Sequence, residues 1–524
     1  MPRSTSRLNR PVGALTVFGL GTAALGPAVH GQIRFDPPRE FIGGHQHVTL
    51  ADLNGNGHLD AAAATANGVQ IFFNDGNGTL VHEVTLLEGV PIIHVRAGDV
   101  DGDGHVDLVM LAGQSGIRER RLHVFYNDGD GRQGELHSGD LPGTWGQRIA
   151  VGDFTGNGRA EVIYGEGAWS PKVWLFIHRE RGVYDRRLLF SHPAFEARVS
   201  DIVLGDVDGD GDLDAVVLFT YGHSGFVRLA QVVALFNEGQ GPPRHQTTNV
   251  TGWIPRTHLP TGIAFGDLDG DGDLDLAIVA YDYDGVYYQG KYGYDPSKVG
   301  ILRNNGEGVF FLGPVFDVGE VAARRSPIIM SDLDSDGRLD LITASGDGAT
   351  TTLHIVRNLG DLTFDEPIDI PVQGSFAFNI AVGDLDGDGQ PDMLVTTWGP
   401  MYQFLNATPI DNPRLSVGSL VRGQAAEFVV TGAEPDETVH FLYTLAGQGT
   451  SLGQRPLGGI TLDLLAPIVH FGSAMADAQG EATLLRSVPL NAPLRPVTFQ
   501  SVIRRGPEGE DSVKSRFQVR LIED

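Results

Sequence analysis

Seven times along this chain an aspartate opens a run of acidic residues and glycines that ends in a short apolar segment. The copies read "ADLNGNGHLDAAA" from Ala51, "GDVDGDGHVDLVM" from Gly98, "GDFTGNGRAEVIY" from Gly152, "GDVDGDGDLDAVV" from Gly205, "GDLDGDGDLDLAI" from Gly266, "SDLDSDGRLDLIT" from Ser331 and "GDLDGDGQPDMLV" from Gly383. Their leading aspartates lie 47, 54, 53, 61, 65 and 52 residues apart. Self-similarity at this period means a fold built from stacked copies of one supersecondary unit. An alternating apolar segment precedes each loop and a β-rich one such as "LDLVML" follows it, which is a hairpin pattern. Farther on come a third strand and a turn, as in "VQIFFNDGNGTL", "LHVFYNDGDG" and "LHIVRNLGDLTF". Three or four short strands per repeat describe one blade of a β-propeller, so seven loops predict seven blades.

A propeller must close on itself or leave strand edges exposed. The seventh repeat, "MYQFLNATP", stops before its outer strand, while Phe35-Asp36-Pro37-Pro38 echoes Phe364-Asp365-Glu366-Pro367 of the sixth. The N-terminal segment is therefore expected to complete the seventh blade. Residues 408–412 read as a linker, and residues 413–524 as alternating strands, among them "AAEFVVTG", "TVHFLYTL" and "VTFQSVI". The expected fold class is all-β: a seven-bladed propeller over residues 32–407, followed by a small Ig-like β-sandwich.

Ahead of the repeats, Arg3, Arg7 and Arg10 precede an apolar run from Val12 to Ala28 and a small-residue site at Val29-His30-Gly31. Residues 1–31 read as a signal peptide, which makes the protein secreted or cell-surface. Glycines and a proline break the run, which falls short of a spanning helix, and no later segment is more apolar. No membrane span is expected after cleavage. The chain has no cysteine, so packing and bound metal must supply what disulfides would. A formal charge of −28 speaks against a nucleic-acid partner, because phosphate binding needs clustered lysine and arginine. The chain reads as a monomer.

With the leading aspartate as position 1, oxygen-bearing side chains recur at positions 1, 3, 5 and 9, and position 6 is always glycine. Position 7 can add its backbone carbonyl. Alternate oxygens around a glycine that permits positive φ suit a hard cation that takes 6 to 8 oxygens. The first loop offers Asp52, Asn54, Asn56, His58 and Asp60; the second, Asp99, Asp101, Asp103, His105 and Asp107; the third, Asp153, Thr155, Asn157 and Glu161. The fourth offers Asp206, Asp208, Asp210, Asp212 and Asp214; the fifth, Asp267, Asp269, Asp271, Asp273 and Asp275. The sixth offers Asp332, Asp334, Asp336, Arg338 and Asp340; the seventh, Asp384, Asp386, Asp388, Gln390 and Asp392. An EF-hand would need glutamate at position 12, where the chain has Ala63, Met110, Tyr164, Val217, Ile278, Thr343 and Val395. Positions 1, 3, 5 and 9 hold 24 of the 66 acidic residues; the remaining 42 face 38 bases. Nearly all the net charge is therefore crowded where a cation would offset it. The expectation is five to seven structural Ca²⁺ sites, weakest in the first and third loops, which hold two carboxylates each.

These loops and their flanks resemble the FG-GAP or VCBS repeats of secreted bacterial proteins, over about residues 32–407, and the propeller resembles the integrin α-subunit head. The resemblance implies that each loop joins the innermost strand to the second on the lower face. It further implies that Asp206, Asp208, Asp210, Asp214 and their counterparts hold calcium to stiffen the blades, and that ligands bind on the upper face.

Five residues before each leading aspartate stand His47, His94, Arg148, Asp201, Gly262, Pro327 and Asn379, expected to ring the upper mouth of the channel. They read either as a solvated strand start or as a ligand-facing ring. His45 and His47, two apart, would share a strand face and form a weak candidate metal pair. Tyr287 and Tyr288 of "YDYDGVYYQGKYGY", with Trp169 and Trp398, map to upper-face loops, and Trp145 and Trp253 map to the same side. Exposed amphipathic rings suit sugar or protein surfaces. The sequence has no His-Glu-x-x-His, no Gly-x-Ser-x-Gly and no phosphate-binding Gly-Lys-Ser. The favoured function is a non-enzymatic adhesion or ligand-binding module for an extracellular glycan or protein. The alternatives are a calcium-dependent polysaccharide lyase or hydrolase, and a structural cell-surface scaffold.

Overall fold

The computed structural model describes residues 33–408 except 114–119, 143–147, 168–170, 195–196, 224–225, 240–242, 256–257, 283–285, 289–290, 294–296, 320–326, 347–349 and 375. Beyond these it describes the strands of the C-terminal segment and some adjoining residues. The signal-peptide segment 1–31, Trp145 and Trp169 lie outside the described residues. Every regular element described is a strand, and no helix among the described residues is long and apolar enough to cross a membrane.

Seven four-stranded antiparallel sheets form the propeller. Their innermost strands are His45–Ala51, Ile92–Gly98, Arg148–Gly152, Arg198–Gly205, His258–Gly266, Ile328–Ser331 and Ala377–Gly383. Successive innermost strands pack side by side, and the seventh packs against the first, which closes the ring. Closure is made by the two ends of the propeller segment: Arg39–Phe41 pairs with Met401–Phe404 as the outer strand of the seventh blade. The echo noted above is real but lies just ahead of that strand. Phe35 bridges Asn406 as Phe364 pairs with Asn358, and Asp36 N–H donates to Leu405 O as Asp365 N–H does to Arg357 O.

Apolar packing lies between blades rather than at the centre. The second strand of the first blade, Asp60–Thr65, shows why: Ala62 and Ala64 join a cluster with Val95 and Met110 of the second blade. Ala61 and Ala63, on the other face, join Leu394 and Met401 of the seventh. A strand buried on both faces loses the apolar-polar alternation of a half-buried one, which is why these segments read as continuous apolar runs.

The glycine before most leading aspartates is set by the same packing. A Cβ on Gly266 would lie 2.4 Å from Leu339 Cδ1 and 2.6 Å from Met330 Sδ of the next blade; one on Gly383 would lie 2.5 Å from Leu59 Cδ1. Gly266→Ala is therefore expected to destabilise by about 1–3 kcal/mol, the usual range for overpacking. Urea unfolding checks it; a change below about 0.5 kcal/mol would mean the neighbouring blade gives way freely.

In the C-terminal segment a three-stranded sheet (Arg414–Val417, Ala425–Thr431, Ala482–Ser487) and a larger sheet containing Thr438–Thr444 and Pro496–Ile503 share one core. Leu415, Phe428 and Leu484 from the first meet Phe441, Val497 and Phe499 from the second.

Candidate functional site: cation loops and a charged central cavity

Each acidic loop wraps its own backbone before any ion is considered. The position-1 carboxylate accepts two or three N–H groups: Asp206 from Gly209 (2.8 Å), Asp210 (3.2 Å) and Gly211 (2.9 Å), Asp384 from Gly387 (2.8 Å) and Gly389 (2.9 Å). Position 5 accepts from position 7, as in Asp210 with Asp212 N (2.9 Å) and Asp388 with Gln390 N (2.7 Å). Positions 4 and 6 have positive φ throughout; Ser335, at φ 59, is the one side-chain-bearing residue among them. Position 9 opens the second strand and is fully buried in the six aspartate copies. Burial raises these carboxyls, with backbone donors opposing, to about 7 for Asp107, Asp340 and Asp392 and about 6 for Asp60, Asp214 and Asp275.

In five loops three carboxylates each bring an oxygen within 4.8 Å of the others: Asp99/Asp101/Asp107, Asp206/Asp208/Asp210, Asp267/Asp269/Asp271, Asp332/Asp334/Asp336 and Asp384/Asp386/Asp392. Asp101 Oδ1 and Asp208 Oδ1 are buried with no hydrogen-bond partner, so their environment lacks the positive group that such oxygens require. Arginines meet the other oxygen of position 3 at its outer edge: Arg181 on Asp101 (2.7 Å), Arg244 on Asp208 (2.9 Å) and Arg303 on Asp269 (2.6 Å). The donor set, clustered hard oxygens of which two are buried without a hydrogen-bond partner, fits Ca²⁺.

The first and third loops differ. Asn56 turns its amide to Asn74 O (2.9 Å), a contact no carboxylate could donate. In the third, the longer Glu161 accepts from Thr155 N and Oγ1 and from Asn157 Nδ2, each at 2.9 Å. That loop satisfies its own acid without a cation.

The chain carries FG-GAP-like repeats. The family matches residues 52–110, 206–278 and 332–395, stretches that take in every loop but the third. The third loop, whose Glu161 is satisfied within the loop, lies between the first two of those stretches. Among curated proteins, the human (Homo sapiens) and mouse (Mus musculus) proteins named cartilage acidic protein 1 are each 26% identical over 161 residues. The match covers 30% of this chain and 24% of each relative, so the chain spans about a quarter of their length. A solved structure, the Dos1 propeller, aligns with 71% of this chain and 94% of its own, at 10% identity and a TM-score of 0.43.

One set of residues escaped the sequence reading. At the end of the third strand in six blades stand Asn74, Asn127, Asn237, Asn304, Asn358 and Asn406. Each donates its N–H to its own blade's position-9 aspartate and its Nδ2 to the position-2 carbonyl of the preceding blade's loop. Asn127 to Leu53 (2.7 Å) and Asn304 to Val207 (2.8 Å) are typical. These asparagines clasp six of the seven loops, all but the second, to the following blade. In the third blade the same register position holds His178, whose ring nitrogens have no hydrogen-bond partner.

Between the innermost strands lies a central cavity of about 590 Å³, lined from Gln46 and Phe378 at the end away from the loops to Leu50 and Val382, two residues before the leading aspartates. All seven residues of the sequence-derived ring line it, from His47, His94, Arg148 and Asp201 to Gly262, Pro327 and Asn379. A β-bulge placed just before the ring in five blades, for example between His45 and His47 and between Val199 and Asp201, sets their direction. The bulge also separates the expected His45–His47 pair. His45 Nε2 meets Gln70 Oε1 (2.9 Å) within its blade, whereas the His47 ring lies against that of His94, tilted by 45° with centroids 3.9 Å apart. Asn379 Oδ1 accepts from Val48 N–H (3.0 Å) and Asp201 Oδ2 from Ile263 N–H (3.1 Å), so these two also join adjacent blades.

Of the aromatic candidates, Trp398 is 69% exposed and tilts over Phe378 (6.0 Å), which lines the cavity. Tyr287 and Tyr288 belong to a short hairpin, Val286–Tyr288 with Lys291–Gly293, between the second and third strands of the fifth blade. Trp253 is a packing residue: its Nε1 donates to Gly313 O (3.2 Å) and its ring covers Gly300.

Proposed function

We propose that this is a secreted, calcium-braced propeller that binds an extracellular glycan at the face opposite its calcium loops, without catalysing a reaction on it. The observation that carries this reading is the exposed Trp398 over a half-buried Phe378, beside a cavity whose largely apolar lining carries His47, His94, Arg148, Asp201 and Asn379. A sugar ring stacks its C–H face on such a surface while side chains such as Arg148 and His47 meet its hydroxyls. The loops at the opposite end, with Asp206, Asp208 and Asp210 as the model set, would hold Ca²⁺ and keep the blades in register. The N-terminal signal pattern and relatives named for cartilage support an extracellular setting. The C-terminal segment would be a separate sandwich domain.

Glycan-array binding in calcium, compared with the Trp398→Ala variant, tests the reading. Saccharide capture that weakens about tenfold or more in the variant supports it. Capture of proteins but not of saccharides overturns the glycan assignment, and turnover of a polysaccharide that disappears on changing His47 or Arg148 makes the protein an enzyme.

A further inference from the structure

Deeper in the same cavity stands Arg96, three residues before Asp99; the equivalent positions hold Thr49, Ala150, Val203, Ala264, Ile329 and Ala381. Among the described residues no carboxylate lies within ion-pair distance of its guanidinium, which donates to His47 Nε2 at 2.6 Å. The cavity's carboxylate, Asp201, is already engaged by Arg148 (3.4 Å) and by the N–H groups of Ile202 and Ile263 (3.1 Å each). Burial lowers the Arg96 guanidinium to about 10, so it stays charged at neutral pH. Burial first, and the two arginines second, push His47 well down, and His94 is lowered in the same surroundings, so both rings are neutral. Among the described residues that line the cavity, two guanidiniums therefore face one carboxylate, inside a chain of formal charge −28. The Arg96 guanidinium, enclosed by low-dielectric walls, hydrogen-bonds a neutral imidazole and feels Asp201 only at a distance, sharing that counter-charge with Arg148.

We propose that the central cavity is an oxyanion site, in which Arg96, assisted by Arg148, receives a carboxylate or sulfate group of the ligand. This rests on the reading of that face as the binding face and names the chemistry it selects. Arginine's planar fork matches such groups in two parallel hydrogen bonds, and the enclosed setting strengthens them.

Calorimetric titration of the calcium-loaded protein in chloride buffer of low ionic strength, with sodium sulfate, acetate, glucuronate and glucose in turn, tests the proposal. Saturable binding of the three anions but not of glucose is expected, weakening about tenfold or more in Arg96→Met. Arg148→Gln, nearer the mouth, gives the same comparison if Arg96→Met does not fold. Glucuronate binding tighter than acetate and sulfate supports a saccharide source; equal affinities support a free oxyanion. The proposal is overturned if no anion binds saturably at millimolar concentration, or if binding is unchanged in both variants. The unmutated protein separates the two readings: an empty glycan array with acetate binding intact removes the glycan and leaves the oxyanion site.

Discussion

Stripping calcium from this protein is expected to lower its thermal midpoint by many degrees. With dissociation constants of about 10⁻⁴ to 10⁻³ M, usual for extracellular modules, about 2 mM calcium contributes roughly 0.6–1.8 kcal/mol per site. Five clustered loops then supply about 3–9 kcal/mol, comparable with the whole net stability of a typical domain at about 5–15 kcal/mol. Differential scanning calorimetry across a calcium series measures it, and replacing Asp208 and Asp210 together by Asn should remove about one loop's share. A midpoint indifferent to calcium would reduce the loops to Asx turns, for which their internal hydrogen bonds suffice.

The sign of the pH dependence gives a second handle on the same loops. In calcium-free buffer the buried position-9 carboxyls hold protons to about pH 6–7, whereas in the unfolded chain they release them near 3.8. Between those values the folded state binds more protons, so stability falls as pH rises from about 4 to 7. With calcium bound, acidification displaces the ion and the slope reverses. Midpoints taken at pH 5 and 7.5, with and without calcium, should therefore change in opposite directions.

How far the structure was legible in the sequence follows from where each residue finds its partner. Seven loops at one period predict seven blades because loop, hairpin and interblade packing are local to a repeat, and Phe35 to Pro38 disclosed the closure by copying Phe364 to Pro367. The ring from His47 to Asn379 could be placed by counting back from Asp52 to Asp384, since a strand keeps its register with the loop it feeds. The bulge ahead of the ring carries no side-chain signature, so strict alternation wrongly joined His45 to His47. Arg96 was passed over because its position is uncharged in every other blade, although that difference is the signal. The asparagine of "FFNDGNG" and "FYNDGDG" was in plain view but read as part of a turn. Its decisive partner lies in another blade, up to 311 residues away for Asn74 and Leu385, and no local pattern reports that.

Asn406→Ala is expected to be among the most destabilising single substitutions in the propeller, at about 2–4 kcal/mol. Asn406 is 2% exposed and donates through Nδ2 to Leu333 O (2.8 Å) and Pro391 O (3.2 Å), while its Oδ1 accepts from Thr408 N–H (3.0 Å). Truncation leaves buried groups without partners, at about 1–3 kcal/mol each. The position has a second burden, because Thr408 Oγ1 in turn accepts from Arg34 N–H (2.9 Å), and Asp36 N–H donates to Leu405 O (2.9 Å). The clasp of the seventh blade onto the sixth and the seam between the two ends of the propeller segment are therefore one hydrogen-bonded unit. Asn358→Ala removes a clasp of the same kind inside the ring, from Nδ2 to Leu268 O (2.8 Å), with no end of the propeller segment beside it. Both variants should lose stability in urea, but Asn406→Ala alone should speed amide exchange at Phe41 and its paired residue Met401 well beyond its effect elsewhere in the ring. Equal exchange along Arg39–Phe41 in the two variants would show that the seam holds without the clasp. A loss below about 0.5 kcal/mol in both would show that the asparagines only shape their turns.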